Sequence, residues 1–148
     1  MYTVFLDTSV LISASLSHKG ASFQILELCK GGFINGIISH SVVKEAKDVT
    51  RRKILKNVAS VDLLIKKSRL KVKKLKDPHL TKRAESWISD KGDVHVLVAA
   101  SLAKVDYLIT LDVRDYIWDA SVSKKSGLAI VTPGDFMTIF RSQPSYDL

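Results

Sequence analysis

The chain has 148 residues, 46% of them hydrophobic, and a formal net charge of +8. This length and composition fit one globular domain with a sizeable core and exclude a disordered chain. The single cysteine excludes an intrachain disulfide and a cysteine-based zinc site, and no apolar run approaches the ~20 residues that a membrane span requires. Because no basic segment precedes the first apolar run, we expect no signal peptide and a soluble, cytoplasmic protein.

Short apolar runs alternate with helical patterns from the start of the chain. Residues 2–6 predict a buried strand, since a short apolar run beside polar residues is typical of one. The Gly-Gly pair at 31–32 indicates the end of a helix. In chain order, the pattern predicts helices at 8–16 and 21–30, a strand at 33–38, a helix that Ser39 or Ser41 caps and that runs to 51–53, a helix at 58–70, and a short edge strand at 72–75.

The second half of the chain continues this alternation. Residues 93–104 are apolar nearly all round the helix, which predicts a helix buried against the sheet. The other predicted elements are a helix at 80–88, strands at 107–110 and 128–131, and a helix that begins at 133–135 and runs through 140. We therefore expect an α/β protein with three α/β/α layers and a mainly parallel central sheet, as one domain at 1–141 with a frayed tail at 142–148.

Four acidic residues follow predicted strands or lie near helix starts: Asp7, Glu45, Asp93 and Asp112. Open α/β sheets build their sites at the carboxyl ends of the strands. Glu45 shares a helix face with Val42 and Val49, where an unpartnered carboxylate would be costly. Carboxylates held together repel one another unless a cation lies between them. Oxygen ligands select hard cations, so the set indicates Mg²⁺ or Mn²⁺.

Each acid also has an interpretation that involves no ligand. Asp7 and Asp112 are well placed to cap the helices that follow them, and Asp90 and Asp93 could be a cap and an acid that complements the helix dipole. Glu45 could lie at the edge of its apolar stripe and pair with Lys44 or Arg52. These alternatives account for each acid singly, but they leave the convergence of four acids at comparable positions unexplained.

Four motifs, spread over nearly the whole chain, resemble those of the PIN domain family, the metal-dependent ribonuclease fold that includes the VapC-type toxins. In chain order they are Phe-Leu-Asp-Thr-Ser at 5–9, Ile-Ile-Ser at 37–39 with Val-Val-Lys-Glu at 42–45, Gly-Asp at 92–93 with Val-Ala-Ala at 98–100, and Asp-Tyr-Leu-Ile-Thr-Leu-Asp at 106–112. The segment 130–136 resembles the last strand and helix of one PIN subgroup. No single motif is specific, but their order and spacing together are.

The resemblance implies a PIN-like fold and an endoribonuclease that uses Mg²⁺ or Mn²⁺ to hydrolyse phosphodiester bonds in RNA. It carries the family's catalytic and metal-binding acids onto Asp7, Glu45, Asp93 and Asp112. Side chains that could orient these acids or bound water, or supply a further acid, belong to Thr8, Ser9, Thr110 and Asp115. His95 stands two residues after Asp93, and the sequence assigns it no role.

Basic residues are concentrated in 44–83, which holds 15 Lys and Arg against four acids, a net charge of +11. A basic region is the electrostatic footprint of a nucleic-acid partner, although a solvated lysine-rich surface would have the same composition. The residues predicted to hold the phosphate backbone are Lys44, Arg51, Arg52 and Lys53. The resemblance implies single-stranded RNA; the residues themselves do not separate RNA from DNA.

The main alternative function is a PIN-like module that binds RNA or ribonucleoprotein without cleaving it, although such a module usually loses acids. A haloacid-dehalogenase-type enzyme needs a second Asp two residues after the first, where this chain has Ser9. The sequence also lacks the acidic pair of a receiver domain and a Gly-rich phosphate loop. The resemblance further implies a homodimer and, for a toxin, an antitoxin protein as partner.

Overall fold

The computed structural model describes residues 1–54 and 59–144, without the side chains of 53, 54 and 59. Two predictions therefore lie outside the described residues: a phosphate contact by the Lys53 side chain, and the end of the frayed tail beyond 144. Residues 142–144 are exposed. Within the described ranges, no helix combines the length and apolar character needed to cross a membrane.

The described residues form a parallel five-stranded sheet in the order β3-β2-β1-β4-β5. Its strands are β1 (Thr3–Leu6), β2 (Asn35–Ser39), β3 (Lys71–Lys73), β4 (Tyr107–Ile109) and β5 (Ile130–Val131). Phe5 on the central strand pairs with Ile37 on one side and Leu108 on the other. All three are buried, as expected for the centre of a parallel sheet that helices cover on both faces.

Helices connect the strands and cover the sheet. They are α1 (Thr8–Leu16), α2 (Ala21–Lys30), α3 (His40–Val49), α4 (Ala59–Lys67), α5 (Pro78–Ala84), α6 (Val94–Ala103), α7 (Val113–Tyr116), α8 (Ala120–Ser126) and α9 (Pro133–Arg141). α1 packs on α2 and α3, α2 on α9, and α5 on α6. The predicted three-layer α/β/α fold with a parallel sheet is confirmed.

The order of the strands determines where a site can form. From β1 the chain adds β2 and β3 on one side, then returns to add β4 and β5 on the other. In open α/β sheets, ligands bind outside the carboxyl ends of the strands at the point where this order reverses. Here that point lies between β1 and β4, directly after Leu6 and Ile109.

Helix α6 is the clearest case in which the sequence predicts burial correctly. Val96, Leu97, Val98, Ala99 and Ala100 are at most 2% exposed. Five successive buried residues occupy all sides of a helix rather than one stripe. The helix that follows Asp93 is therefore held firmly in the core, and its first turn has little freedom to move.

Two predicted boundaries are wrong because a residue with a positive φ lies close to each of them. The second strand begins at Asn35 rather than residue 33, since Gly32 adopts φ +78° and turns the chain. Phe33 remains in the turn and is 63% exposed. The helix predicted at 58–70 ends at Lys67, because Arg69 has a left-handed φ of 56° that a helix cannot contain.

Two further helices differ from their predicted ranges. α3 ends at Val49 and continues as a π-helical turn over Thr50–Ile54, where the prediction ran the α-helix to 51–53. α5 begins at Pro78, two residues before the predicted start, because proline suits the first turn and Asp77 accepts the free N–H groups there. It ends at Ala84, four residues before the predicted end.

Candidate active site

Asp7 joins the end of β1 to the start of α1 and is 5% exposed. Its Oδ1 accepts the Thr8 N–H at 2.8 Å, so it does cap the helix. Its Oδ2 accepts hydrogen bonds from the hydroxyl groups of Ser9, at 2.9 Å, and Thr110, at 2.8 Å. Capping therefore explains only one of these contacts. A cap uses one carboxylate oxygen, whereas both oxygens of Asp7 accept hydrogen bonds.

The same two hydroxyl groups connect the ends of β1 and β4. The Ser9 Oγ accepts the N–H of Leu111 at 3.1 Å, and the Thr110 Oγ1 accepts the N–H of Asp112 at 3.0 Å. Thr110 is fully buried. The position of Asp7 is therefore fixed by contacts more than 100 residues away along the chain, and the backbone that carries Asp112 is fixed with it.

Asp93 ends a 3₁₀ turn (Lys91–Asp93) directly before α6. The cap in this segment is Asp90 and not Asp93, whose side chain makes no capping bond. Asp90 accepts the N–H of Gly92 instead, at 2.8 Å. The Asp93 Oδ2 is buried and has no hydrogen-bond partner among the described residues. A buried carboxylate oxygen without a donor is costly in water-free surroundings and suits a cation.

Asp112 does cap the short helix α7, since its Oδ1 accepts the N–H of Asp115 at 3.2 Å. Glu45, on α3, pairs neither with Lys44 nor with Arg52, whose Nε donates to the Asp48 carbonyl. Its Oε2 lies 3.0 Å from the Nε2 of His95 on α6.

All four predicted acids line one open cleft of about 530 Å³, hereafter the acidic cleft. Its full lining is Asp7, Thr8, Ser9, Ile12, Ser13, Leu16, Ser17, Glu45, Val49, Asp93 and Asp112. The structure thus brings together acids from four separate segments, and Ile12, Leu16 and Val49 add apolar side chains to the lining.

Asp115 lies beside the acidic cleft and not in its lining. It forms a group with Asp90 and Asp93 in which one oxygen of each lies within 4.8 Å of the others. The sequence predicts Asp90 only as a cap, and its spacing to Asp93 is the one signal in the sequence that marks it as part of an acidic group. Asp93 belongs to both sets of acids, so it is the carboxylate that connects them.

The electrostatics of the acidic cleft show an excess of negative charge. Burial raises the pKa of Asp7 above its usual value, despite the three hydrogen bonds that lower it. Burial, followed by repulsion from Asp90, raises the pKa of Asp93 to about 7. The hydrogen bond from His95 lowers the pKa of Glu45. At neutral pH the charged form of Asp93 is thus costly without a cation, and the donor set of carboxylate and hydroxyl oxygens fits Mg²⁺ or Mn²⁺.

Three of the four predicted phosphate-binding residues have described side chains, and all three are exposed. Lys44 lies one residue before Glu45 on α3, and Arg51 and Arg52 lie on the π-helical turn that follows this helix. Arg51 makes a loose contact of 3.4 Å with Asp48. The edge strand β3 is also fully exposed and carries two lysines in three residues. Within the described part of the chain, the basic block therefore presents its charge to solvent.

A family model described as PIN domain matches residues 3–114, a range that contains all four acids of the cleft. The chain belongs to the PIN domain family. Sequence comparison with curated proteins finds no match. The matched range of this PIN domain includes β1 through β4 and the start of α7.

Two solved structures resemble this PIN domain in fold. One is VapBC2 from Rickettsia felis bound to a DNA fragment from its promoter, with a TM-score of 0.66, 17% identity, and coverage of 88% of this chain and 98% of that chain. The other is FitAB bound to an IR36 DNA fragment, with a TM-score of 0.54, 15% identity, and coverage of 88% and 94%. At these identities the likeness shows the shared fold, and the function must be argued from the site.

Proposed function

We propose that this PIN domain is a Mg²⁺- or Mn²⁺-dependent endoribonuclease and the toxin of a VapBC-type pair. The observation that carries the nuclease assignment is the convergence of Asp7, Glu45, Asp93 and Asp112 on one cleft at the sheet's switch point. Family membership and the two neighbouring structures support it. The proposal makes this a hydrolase acting on phosphodiester bonds.

In this mechanism, Asp7 and Asp93 would be the main ligands of a bound cation, and Glu45 and Asp112 would help to hold it. The bound cation would supply an activated water and stabilise negative charge on the leaving oxygen. Ser9 and Thr110 hold the Asp7 carboxylate in one orientation through their hydroxyl groups. A fixed carboxylate loses less entropy when it binds a ligand.

The substrate is single-stranded RNA, whose backbone the basic residues would attract. Lys44, Arg51 and Arg52 are exposed on α3 and the turn after it, the same helix that carries Glu45. Phosphates bound there would therefore pass close to the acidic cleft. Such contacts release counterions, so binding should weaken steeply with salt.

The decisive test is cleavage of single-stranded RNA with Mg²⁺ or Mn²⁺ by the wild type, Asp7→Asn and Asp93→Asn. We expect each substitution to lower kcat at least about 100-fold, beyond the loss typical of an outer partner of a metal ligand. Asp135→Asn is the matched control, because Asp135 is exposed on α9 and does not line the acidic cleft.

Equal cleavage by wild type and both cleft variants would point to a contaminating nuclease and contradict the proposal. Binding of RNA without cleavage would favour the alternative of a non-catalytic RNA-binding PIN module.

The proposed partners are a second copy of the chain and an antitoxin protein. The antitoxin is suggested by the two fold neighbours, which were solved as VapBC2 and FitAB assemblies on DNA. Co-purification from the native host, with the neighbouring gene intact, tests for the antitoxin. Light scattering on the purified chain tests for the homodimer.

A further inference from the structure

His95 on α6 contacts Glu45 on α3. Among the described residues, this is the one contact between these helices in which both side chains can carry charge. Its Nε2 lies 3.0 Å from the Oε2 of Glu45, which is 50 residues away along the chain. It stands in the first turn of α6, two residues after Asp93. This contact links Glu45 to the first turn of α6, the helix that directly follows Asp93. It therefore connects two of the four acids of the acidic cleft.

The chemistry of the two groups sets the direction of the hydrogen bond. The ionised carboxylate of Glu45 can only accept, so the hydrogen lies on Nε2 of His95. The Nδ1 of the ring is buried and has no partner among the described residues. The His95 ring therefore makes one hydrogen bond among the described residues, and it donates that bond to Glu45.

His95 lies behind the acidic cleft rather than in it. It is not part of the lining of that cleft. It lines a separate cavity of about 560 Å³, together with Ser41 on α3 and Thr81 and Lys82 on α5. A group on the far side of Glu45 can act on the cleft through that carboxylate.

We propose that His95 is a positioning residue that holds the Oε2 of Glu45 and so presents its other carboxylate oxygen to the cation in the acidic cleft. This inference rests on the proposed metal-dependent function. Such a partner restricts Glu45, because its side chain is 43% exposed and a flexible side chain loses rotational freedom when a neighbour holds one of its oxygens. A histidine that donates to a metal-binding carboxylate fixes the orientation and basicity of that ligand.

The contact contributes little to the stability of the fold. The His95 side chain is 31% exposed, and partly exposed pairs of this kind contribute modestly to the free energy of unfolding. Removing the contact should therefore change the position of Glu45 without unfolding the protein. This separates a positioning role from a structural one.

The first test measures Mn²⁺ affinity by calorimetry for wild type, His95→Leu and His95→Gln. We expect His95→Leu to weaken Mn²⁺ binding about 10- to 100-fold, as losses of outer partners do. Gln carries an amide N–H that can replace Nε2–H, so His95→Gln should restore affinity to within about threefold of wild type. His79→Leu is the matched control, since His79 is exposed on α5 and its side chain lines neither cavity.

The second test repeats His95→Leu in a Glu45→Ala background. If His95 acts through Glu45, its removal should change Mn²⁺ affinity less than about twofold there, because interacting residues are not additive. Equal losses in both backgrounds would overturn the inference, as would unchanged affinity of His95→Leu in the wild-type background.

The controls separate this inference from the proposed function. Wild-type protein that binds Mn²⁺ and cleaves RNA, with an unaffected His95→Leu variant, would overturn the role of His95 alone. Wild-type protein that neither binds Mn²⁺ nor cleaves RNA would overturn both.

Discussion

Asp93 is the side chain at which burial and charge conflict most clearly. Its pKa is raised to about 7, first by burial and then by the nearby carboxylate of Asp90. Its Oδ2 has no donor within the described residues. An acid that binds its proton more tightly in the folded state than in the unfolded state makes folding more favourable at low pH. The free energy of unfolding of the metal-free protein should therefore fall as pH rises from the usual Asp pKa to about 7.

Comparison with Asp93→Asn isolates that effect. Between about pH 4 and pH 8 we expect the variant to gain about 1–2 kcal/mol of unfolding free energy over metal-free wild type, allowing for solvent screening of a half-exposed group. Asn carries no charge in the folded state at any pH, so it avoids the cost that wild type meets above the usual Asp pKa. Urea denaturation over this pH range, with EDTA present, measures it. Parallel profiles for the two proteins would contradict the assignment of the raised pKa to Asp93.

At the scale of elements, α3 and the turn after it carry both a proposed metal ligand and basic residues. Glu45 faces the acidic cleft, and the exposed Arg51 and Arg52 follow on the π-helical turn Thr50–Ile54. Their contacts with Asp48 are 3.3 Å or longer, and exposed pairs of this kind hold little free energy. The guanidinium groups are therefore available for phosphates.

Replacing both arginines should weaken RNA binding without affecting the cation site. For Arg51→Ala with Arg52→Ala, we expect the slope of log affinity against log salt to fall by about 1.4, from about 0.7 per phosphate contact on a single strand. Binding of a metal-free, inactive Asp7→Asn protein to labelled RNA at several salt concentrations measures this slope. Lys124→Ala with Lys125→Ala on α8 is the control pair, since both lysines are exposed outside the basic block. An equal change of the salt slope in both double variants would show that the effect comes from lost net charge and would contradict a specific role of the two arginines.

At the scale of the molecule, the parallel sheet brings separate segments to one edge. The switch between β1 and β4 sets Asp7 beside the segment that carries Asp112, and α3 and the turn before α6 add Glu45 and Asp93. The cation would therefore bridge segments that are far apart in the chain. A ligand that binds only the folded state stabilises the whole domain.

Divalent cations should accordingly raise the unfolding free energy of the whole domain. At a Mg²⁺ or Mn²⁺ concentration of about 100 times Kd, we expect a gain of about 2.7 kcal/mol at pH 8. Thermal denaturation with and without the cation measures it, and the gain should be lost in Asp7→Asn. The gain should also shrink toward pH 5, because protons compete with the cation for Asp93. A gain of the same size in wild type and Asp7→Asn would place the cation elsewhere.

Much of the fold could be predicted from local patterns. The helices at 8–16 and 21–30 match α1 and α2 residue for residue, and the apolar character of 93–104 predicted a buried α6. Two of the errors occur where one residue's backbone decides the boundary, as Gly32 and Arg69 do with positive φ. A hydrophobic pattern averages over several residues and does not detect a single residue with a positive φ.

The sequence by itself determined the alternation of strands and helices, the family, and four acids, three of them beside strand ends or helix starts and Glu45 within a helix. Only the tertiary structure decided how those acids are held: Thr110 donates to Asp7, His95 contacts Glu45, and Asp90 joins Asp93 and Asp115. The physical reason is that periodicity records which face of an element is apolar, a local property. Contacts between polar side chains 50 or 103 residues apart depend on strand order and rotamers, which leave no periodic signal in the chain.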